Sequence, residues 1–116
     1  MEKKQLDFNI RIREKLFPYG TLQDKKVQRS VFGRQLHSAA DKLSGYEKYR
    51  IRIQDKTSGN FYPAIQLSVN NKMVPGTVFQ LTKEELATAD RYEGNSYLRI
   101  KLKLESGVKA CVWLVK

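Results

Sequence analysis

The sequence predicts an α+β fold, a small mixed β-barrel of about six strands with two short helices. Three observations predict it. Apolar residues alternate with polar ones along most of the chain, the mark of half-buried strands. Only two segments carry both a helix start and a helix stop. The 116 residues contain no repeat, low-complexity stretch or Pro/Gly/Ser linker, so residues 1–116 read as one domain. In such a domain a strand-rich sheet removes its exposed edges by closing.

The elements follow in order. Leu6, Phe8, Ile10 and Ile12 are spaced by two around Asp7, Asn9 and Arg11, so residues 1–14 read as an added N-terminal strand. A first helix is expected from Asp24 to about Phe32, with Val27 and Val31 one turn apart and Gly33 as its stop. His37 falls in a stretch of strand or loop. Tyr49, Ile51 and Ile53 alternate with Lys48, Arg50 and Arg52, and Lys56-Thr57-Ser58-Gly59-Asn60 is an exposed loop. Runs from Tyr62 to Val69 and from Met73 to Leu81 flank Asn70-Asn71, a pair that tolerates positive φ and suits a tight hairpin. Thr82 and Glu85 have capping-box spacing and open a second helix with Leu86 and Ala89 inward, ending near Gly94. Leu98, Ile100, Leu102 and Leu104 alternate with Arg99, Lys101 and Lys103. A turn at Glu105-Ser106-Gly107 then leads into a last strand from Val108 to Val115.

Composition narrows the function classes. With 41% hydrophobic and 10% aromatic residues the chain can bury a core, which argues against disorder. Lys and Arg total 22 against 12 Asp and Glu, a formal +10, and composition alone would put a polyanion first among partners. Yet Arg11, Arg13, Lys48, Arg50, Arg52, Lys101 and Lys103 are the polar beats of alternating strands. On a barrel they form a solvated shell, which ranks nucleic acid below a small molecule. No apolar run nears the ~20 residues of a membrane span, and the acid-bearing start lacks a secretion signal. The expectation is a cytoplasmic protein without a membrane partner. One Cys and one His exclude an internal disulfide and a Cys/His zinc site, and no Asp-x-Asp or EF-hand spacing occurs. No metal is expected.

Two segments stand out. Leu16-Phe17-Pro18-Tyr19-Gly20-Thr21-Leu22 runs from a strand into a helix start, presenting successive backbone amides that can hold a carboxylate or an oxyanion. Glu93, just before Gly94, sits at a corner where a carboxylate can face a cavity and serve as general base, then general acid. On the residues alone the plainer readings lead: an ordinary turn at Gly20 and a solvated helix end at Glu93. Cys111 reads as a core thiol, and Trp113 and the tyrosines as core and pocket wall.

Taken as an ordered series, these segments are more specific. Phe17-Pro18-Tyr19-Gly20-Thr21-Leu22, Leu43-Ser44-Gly45-Tyr46, Tyr62-Pro63-Ala64-Ile65, Val74-Pro75-Gly76-Thr77-Val78, Asp90-Arg91-Tyr92-Glu93-Gly94 and Tyr97-Leu98-Arg99 follow one another along nearly the whole chain. The series resembles the gamma-glutamylcyclotransferase-like family, which includes gamma-glutamylamine cyclotransferases and small bacterial and plant members. The resemblance implies a compact mixed β-barrel and a cavity at whose rim Tyr19, Gly20, Thr21 and Leu22 bind the glutamyl head of a substrate. It implies Glu93 as the catalytic acid/base, with Tyr62, Pro63 and Tyr97 as pocket wall. The implied reaction turns a γ-glutamyl amine or amino acid into 5-oxoproline and a free amine, without metal or cofactor. A non-catalytic small-molecule binder of the same fold is the second reading, and a basic nucleic-acid binder the third. Pro18 departs from the family pattern by removing an amide beside the loop.

Overall fold

The computed structural model describes residues 11–52 and 61–116. Its strands are β1 (Glu14–Leu16), β2 (His37–Ser44), β3 (Tyr46–Arg52), β4 (Phe61–Leu67), β5 (Met73–Leu81), β6 (Tyr97–Lys103) and β7 (Lys109–Val115). Two α-helices, α1 (Lys25–Phe32) and α2 (Lys83–Glu93), follow β1 and β5, and a 3-10 turn, Thr21–Gln23, precedes α1. A five-stranded sheet runs in the order β2-β5-β1-β7-β6, and β3 and β4 form a separate ribbon. The sheet is mixed: β1 pairs antiparallel with β5 and parallel with β7, where Leu16 meets Cys111. The fold is thus the α+β architecture the sequence predicts, built on a curled mixed sheet. Among the described residues no helix is long and apolar enough to cross a membrane.

Both helices form where their local signals place them. The Asp24 carboxylate accepts from the amides of Lys26 at 2.7 Å and Val27 at 3.4 Å, satisfying donors that a helix start leaves free. Gly33, at φ 74°, ends α1 in the left-handed region. At α2 the capping box is complete: Thr82 N donates to Glu85 Oε1 at 2.8 Å and Glu85 N to Thr82 Oγ1 at 3.1 Å. Leu86 and Ala89 are buried beneath it. Arg34 makes two 2.8 Å bonds to the Glu85 carboxylate, a bidentate pair that ties the segment after α1 to the start of α2.

Three strand expectations change. Residues 6–10, 53 and 56–60 lie outside the described residues; Ile12 is not in a strand, and the first described strand begins at Glu14. The segment β2 is a strand that alternation does not reveal, because only Leu43 on it is buried. It is an edge strand, held through eight residues of pairing with β5, from His37 opposite Gln80 to Ser44 opposite Met73. Asn71 does have positive φ, at 55°, but β4 and β5 do not form a hairpin. β4 pairs with β3 and β5 with β2, so the Asn pair turns the chain between two sheets.

The large sheet is covered on both faces. Leu16, Phe79, Leu81, Cys111 and Trp113 pack with Leu22, Leu86 and Ala89 and with Val27 and Val31 of α1. Phe17, Val78, Ala110 and Val112 pack on the other side with Leu43, Ile65 and Leu104. This explains why Ala110–Trp113 is a continuous buried run where other strands alternate. Leu98, second in β6 and paired with Leu114 of β7, is 53% exposed, contrary to its place in the alternation. The sheet edges meet where the β6–β7 turn clasps β2. Glu105 N donates to Lys42 O at 2.8 Å, Ser106 N to Asp41 Oδ1 at 3.2 Å, and the Ser44 hydroxyl bonds the Glu105 carboxylate. That clasp covers an edge that would otherwise be open to foreign strands.

Candidate active site

Five segments converge on a cavity of about 330 Å³ lined by Tyr19, Gly20, Thr21, Tyr62, Pro63, Tyr92, Glu93, Tyr97 and Trp113. The loop after β1 forms one wall. Phe17 N donates to Cys111 O at 2.9 Å, holding the chain on β7 until it turns. The Tyr19 hydroxyl donates to the Trp113 carbonyl. The Gly20 carbonyl accepts from Gln23 N at 3.2 Å and Gln23 Nε2 at 3.3 Å, and Asp24 N donates to Thr21 O at 2.9 Å, winding the loop into the 3-10 turn. As at any helix start, the Thr21 and Leu22 amides enter no backbone pair among the described residues. A Cβ on Gly20 would lie 3.3 Å from Pro63 Cγ, so the missing side chain lets β4 close on the loop.

The opposite wall is the last turn of α2. Gly94, at φ 89°, stops the helix with its amide donating to Asp90 O at 3.0 Å, leaving Glu93 at the cavity. Asp90, one turn earlier, accepts from Trp113 Nε1 at 2.9 Å and from Arg99 Nη1 at 2.6 Å. Tyr92 Oη and Thr21 Oγ1 are 2.6 Å apart and bridge the two walls. Seven of the eight expected site residues therefore line one cavity. Leu22 is the exception: its side chain is 1% exposed in the core beside α1 and does not line the cavity. Its carbonyl instead accepts from buried Gln28 Nε2 at 2.9 Å, which anchors the turn to α1. Tyr92 and Trp113 also line the cavity; both fall under the general reading of Trp113 and the tyrosines as core and pocket wall, though neither was singled out as a site residue. For Tyr92, its position beside Glu93 was the available signal.

Burial, followed by the nearby Tyr97, Glu93 and Tyr49, pushes the Tyr19 phenol well above its ordinary range. Burial, followed by Glu93, Tyr62 and Tyr49, pushes Tyr97 up to about 12. Both phenols are neutral donors near neutral pH, and Tyr97 Oη gives its proton to Pro63 O at 3.1 Å. The sign of the linkage follows. A folded-state value above the unfolded 10.0 means stability is complete below pH 10 and falls as pH climbs toward 12. Urea unfolding at pH 8, 10 and 11.5 is expected to show that loss, and Tyr97→Phe to reduce it; an equal loss in both proteins would refute it. His37 is exposed at the start of β2, outside the cavity. Cys111 is buried elsewhere in the core, and burial pushes its thiol up, toward an unreactive state.

The family described as "Gamma-glutamyl cyclotransferase, AIG2-like" matches residues 16–116. AIG2-like protein A of Arabidopsis thaliana is 26% identical over 108 residues, covering 87% of this chain and 62% of that protein. AIG2-like protein B of the same plant is 28% identical over 85 residues, covering 73% of this chain and 46% of that protein. The chain thus spans less than two thirds of either relative. The solution structure of an Arabidopsis thaliana protein superposes with a TM-score of 0.72 at 25% identity, covering 88% of this chain and 68% of its own. A structure described as "Gamma-glutamyl cyclotransferase" gives a TM-score of 0.72 at 20% identity, covering 89% of this chain and 66% of its own, a likeness of fold.

Proposed function

The chain belongs to the gamma-glutamyl cyclotransferase, AIG2-like family, and from that premise we propose that it cyclises a small γ-glutamyl amine or γ-glutamyl amino acid. The products are 5-oxoproline and the free amine. The observation that carries the reading is the meeting of Glu93 with Tyr19, Gly20 and Thr21 around one cavity. The substrate supplies its own nucleophile: its α-amino nitrogen bonds the γ-carbonyl carbon while the bond from that carbon to the leaving nitrogen breaks. Because the two groups are tethered, a pocket that freezes the folded conformer gains a large effective molarity.

In this mechanism Glu93 takes a proton from the α-ammonium and delivers it to the departing nitrogen; the second proton that the α-nitrogen sheds on becoming the lactam N–H passes through the same carboxylate to the amine, which leaves as an ammonium. Amides of the Tyr19–Leu22 loop hold the glutamyl head and ease charge on the carbonyl oxygen, a task suited to donors at a helix start. Tyr62, Pro63 and Tyr97 wall the pocket and exclude water. No step calls for a metal or cofactor. The test is release of 5-oxoproline from a panel of γ-glutamyl amines and amino acids, followed by chromatography. Release from at least one member is expected. A panel without release would overturn the activity, and saturable quenching of Trp113 fluorescence would then select the non-catalytic binding reading.

A further inference from the structure

We propose that Asp90 is the positioning residue of this site, its carboxylate fixing the last turn of α2 to the sheet and so aiming Glu93. The inference rests on the cyclotransferase reading for its kinetic consequence, but its geometry stands apart from it. By helix rules Asp90 is misplaced: an acid near a helix C-terminus opposes the macrodipole, and Asp90 has Glu93 three residues further on the same face. Tertiary contacts account for its presence. One oxygen accepts from Trp113 Nε1 of β7 at 2.9 Å and the other from Arg99 Nη1 of β6 at 2.6 Å, so one side chain joins the helix to two strands. Helix ends fray when nothing holds them, and this end carries the residue whose aim matters most. A local choice that breaks its own rule is what a functional site leaves in a sequence.

Two variants test it. Asp90→Ala removes both bonds, whereas Asp90→Asn keeps an acceptor for the indole and gives up the charge opposite Arg99. Asp90→Ala is expected to lower kcat by about 10²-fold, the effect of roughly 1 Å of misplacement, with KM nearly unchanged. Asp90→Asn should fall between it and the wild type. Amide exchange at residues 91–94 should quicken roughly tenfold in Asp90→Ala while α1 keeps its protection. An unchanged kcat, or a KM rise carrying the whole effect, overturns the proposal. So does unchanged exchange at residues 91–94. If the wild type itself releases no 5-oxoproline, the functional reading fails, and the exchange comparison alone decides the positioning. If the alanine variant does not fold, the same comparisons are made on Asp90→Asn.

Discussion

Glu93→Gln is expected to lower 5-oxoproline release by about 10²–10⁴-fold, the range over which a positioned acid/base accelerates proton transfer. The substitution keeps the side chain's length and shape, so the last turn of α2 and its Gly94 stop should persist. What it removes is the only carboxylate among the described residues that line the cavity. Binding should change far less, because the loop amides assigned to the glutamyl head are untouched. Single-turnover rates measure the first effect. The quenching of Trp113, the single tryptophan, measures the second. A variant that turns over at the wild-type rate would sink the mechanism, and one that loses binding in proportion to rate would move Glu93 from chemistry to recognition.

Phe17→Ala is expected to be the most damaging change to the fold, at about 3–5 kcal/mol. Phe17 is fully buried in the sheet face opposite the helices. Its ring lies so close to β5 that a Cβ on Gly76 would stand 2.8 Å from Phe17 Cζ. Alanine would leave a void against backbone, which relaxes less readily than side chains. Against a typical domain stability of about 5–15 kcal/mol, that loss brings the variant close to unfolding at physiological temperature. Urea denaturation followed by circular dichroism reads the effect directly. A loss below about 1 kcal/mol would show that the site collapses around the missing ring.

How much of this was legible depended on how local the signal was. The ends of α1 and α2 are written in adjacent residues, Asp24 with Gly33 and Thr82 with Glu85 and Gly94, and both form as read. The outward beats Lys48, Arg50, Arg52, Lys101 and Lys103 are all exposed, as alternation requires. Strand β2 was hidden because what holds it is the backbone of β5, and His37–Ser44 carries no face of its own. The partner of β4 was hidden for a related reason: Asn70-Asn71 specifies a turn, but which strand pairs across it is decided by distant chain. In the site, Glu93 and the Tyr19–Thr21 loop were each marked by a neighbouring glycine. The Asp90 contacts join a helix to two strands and leave no trace in local spacing.

The parallel pairing of β1 with β7 has a kinetic consequence. Leu16 and Cys111 come from opposite ends of the described chain, and β1 lies between β5 and β7 at the centre of the sheet. The entropy of closing so long a loop is spent before that contact returns anything, which slows folding. On the ribosome, β1 has only one of its two neighbours until β7 emerges, and the Tyr19 hydroxyl waits for the carbonyl of Trp113. The cavity wall is therefore completed only once β7 has paired. A nascent or truncated chain lacking β7 would carry the motif of the loop without its shape.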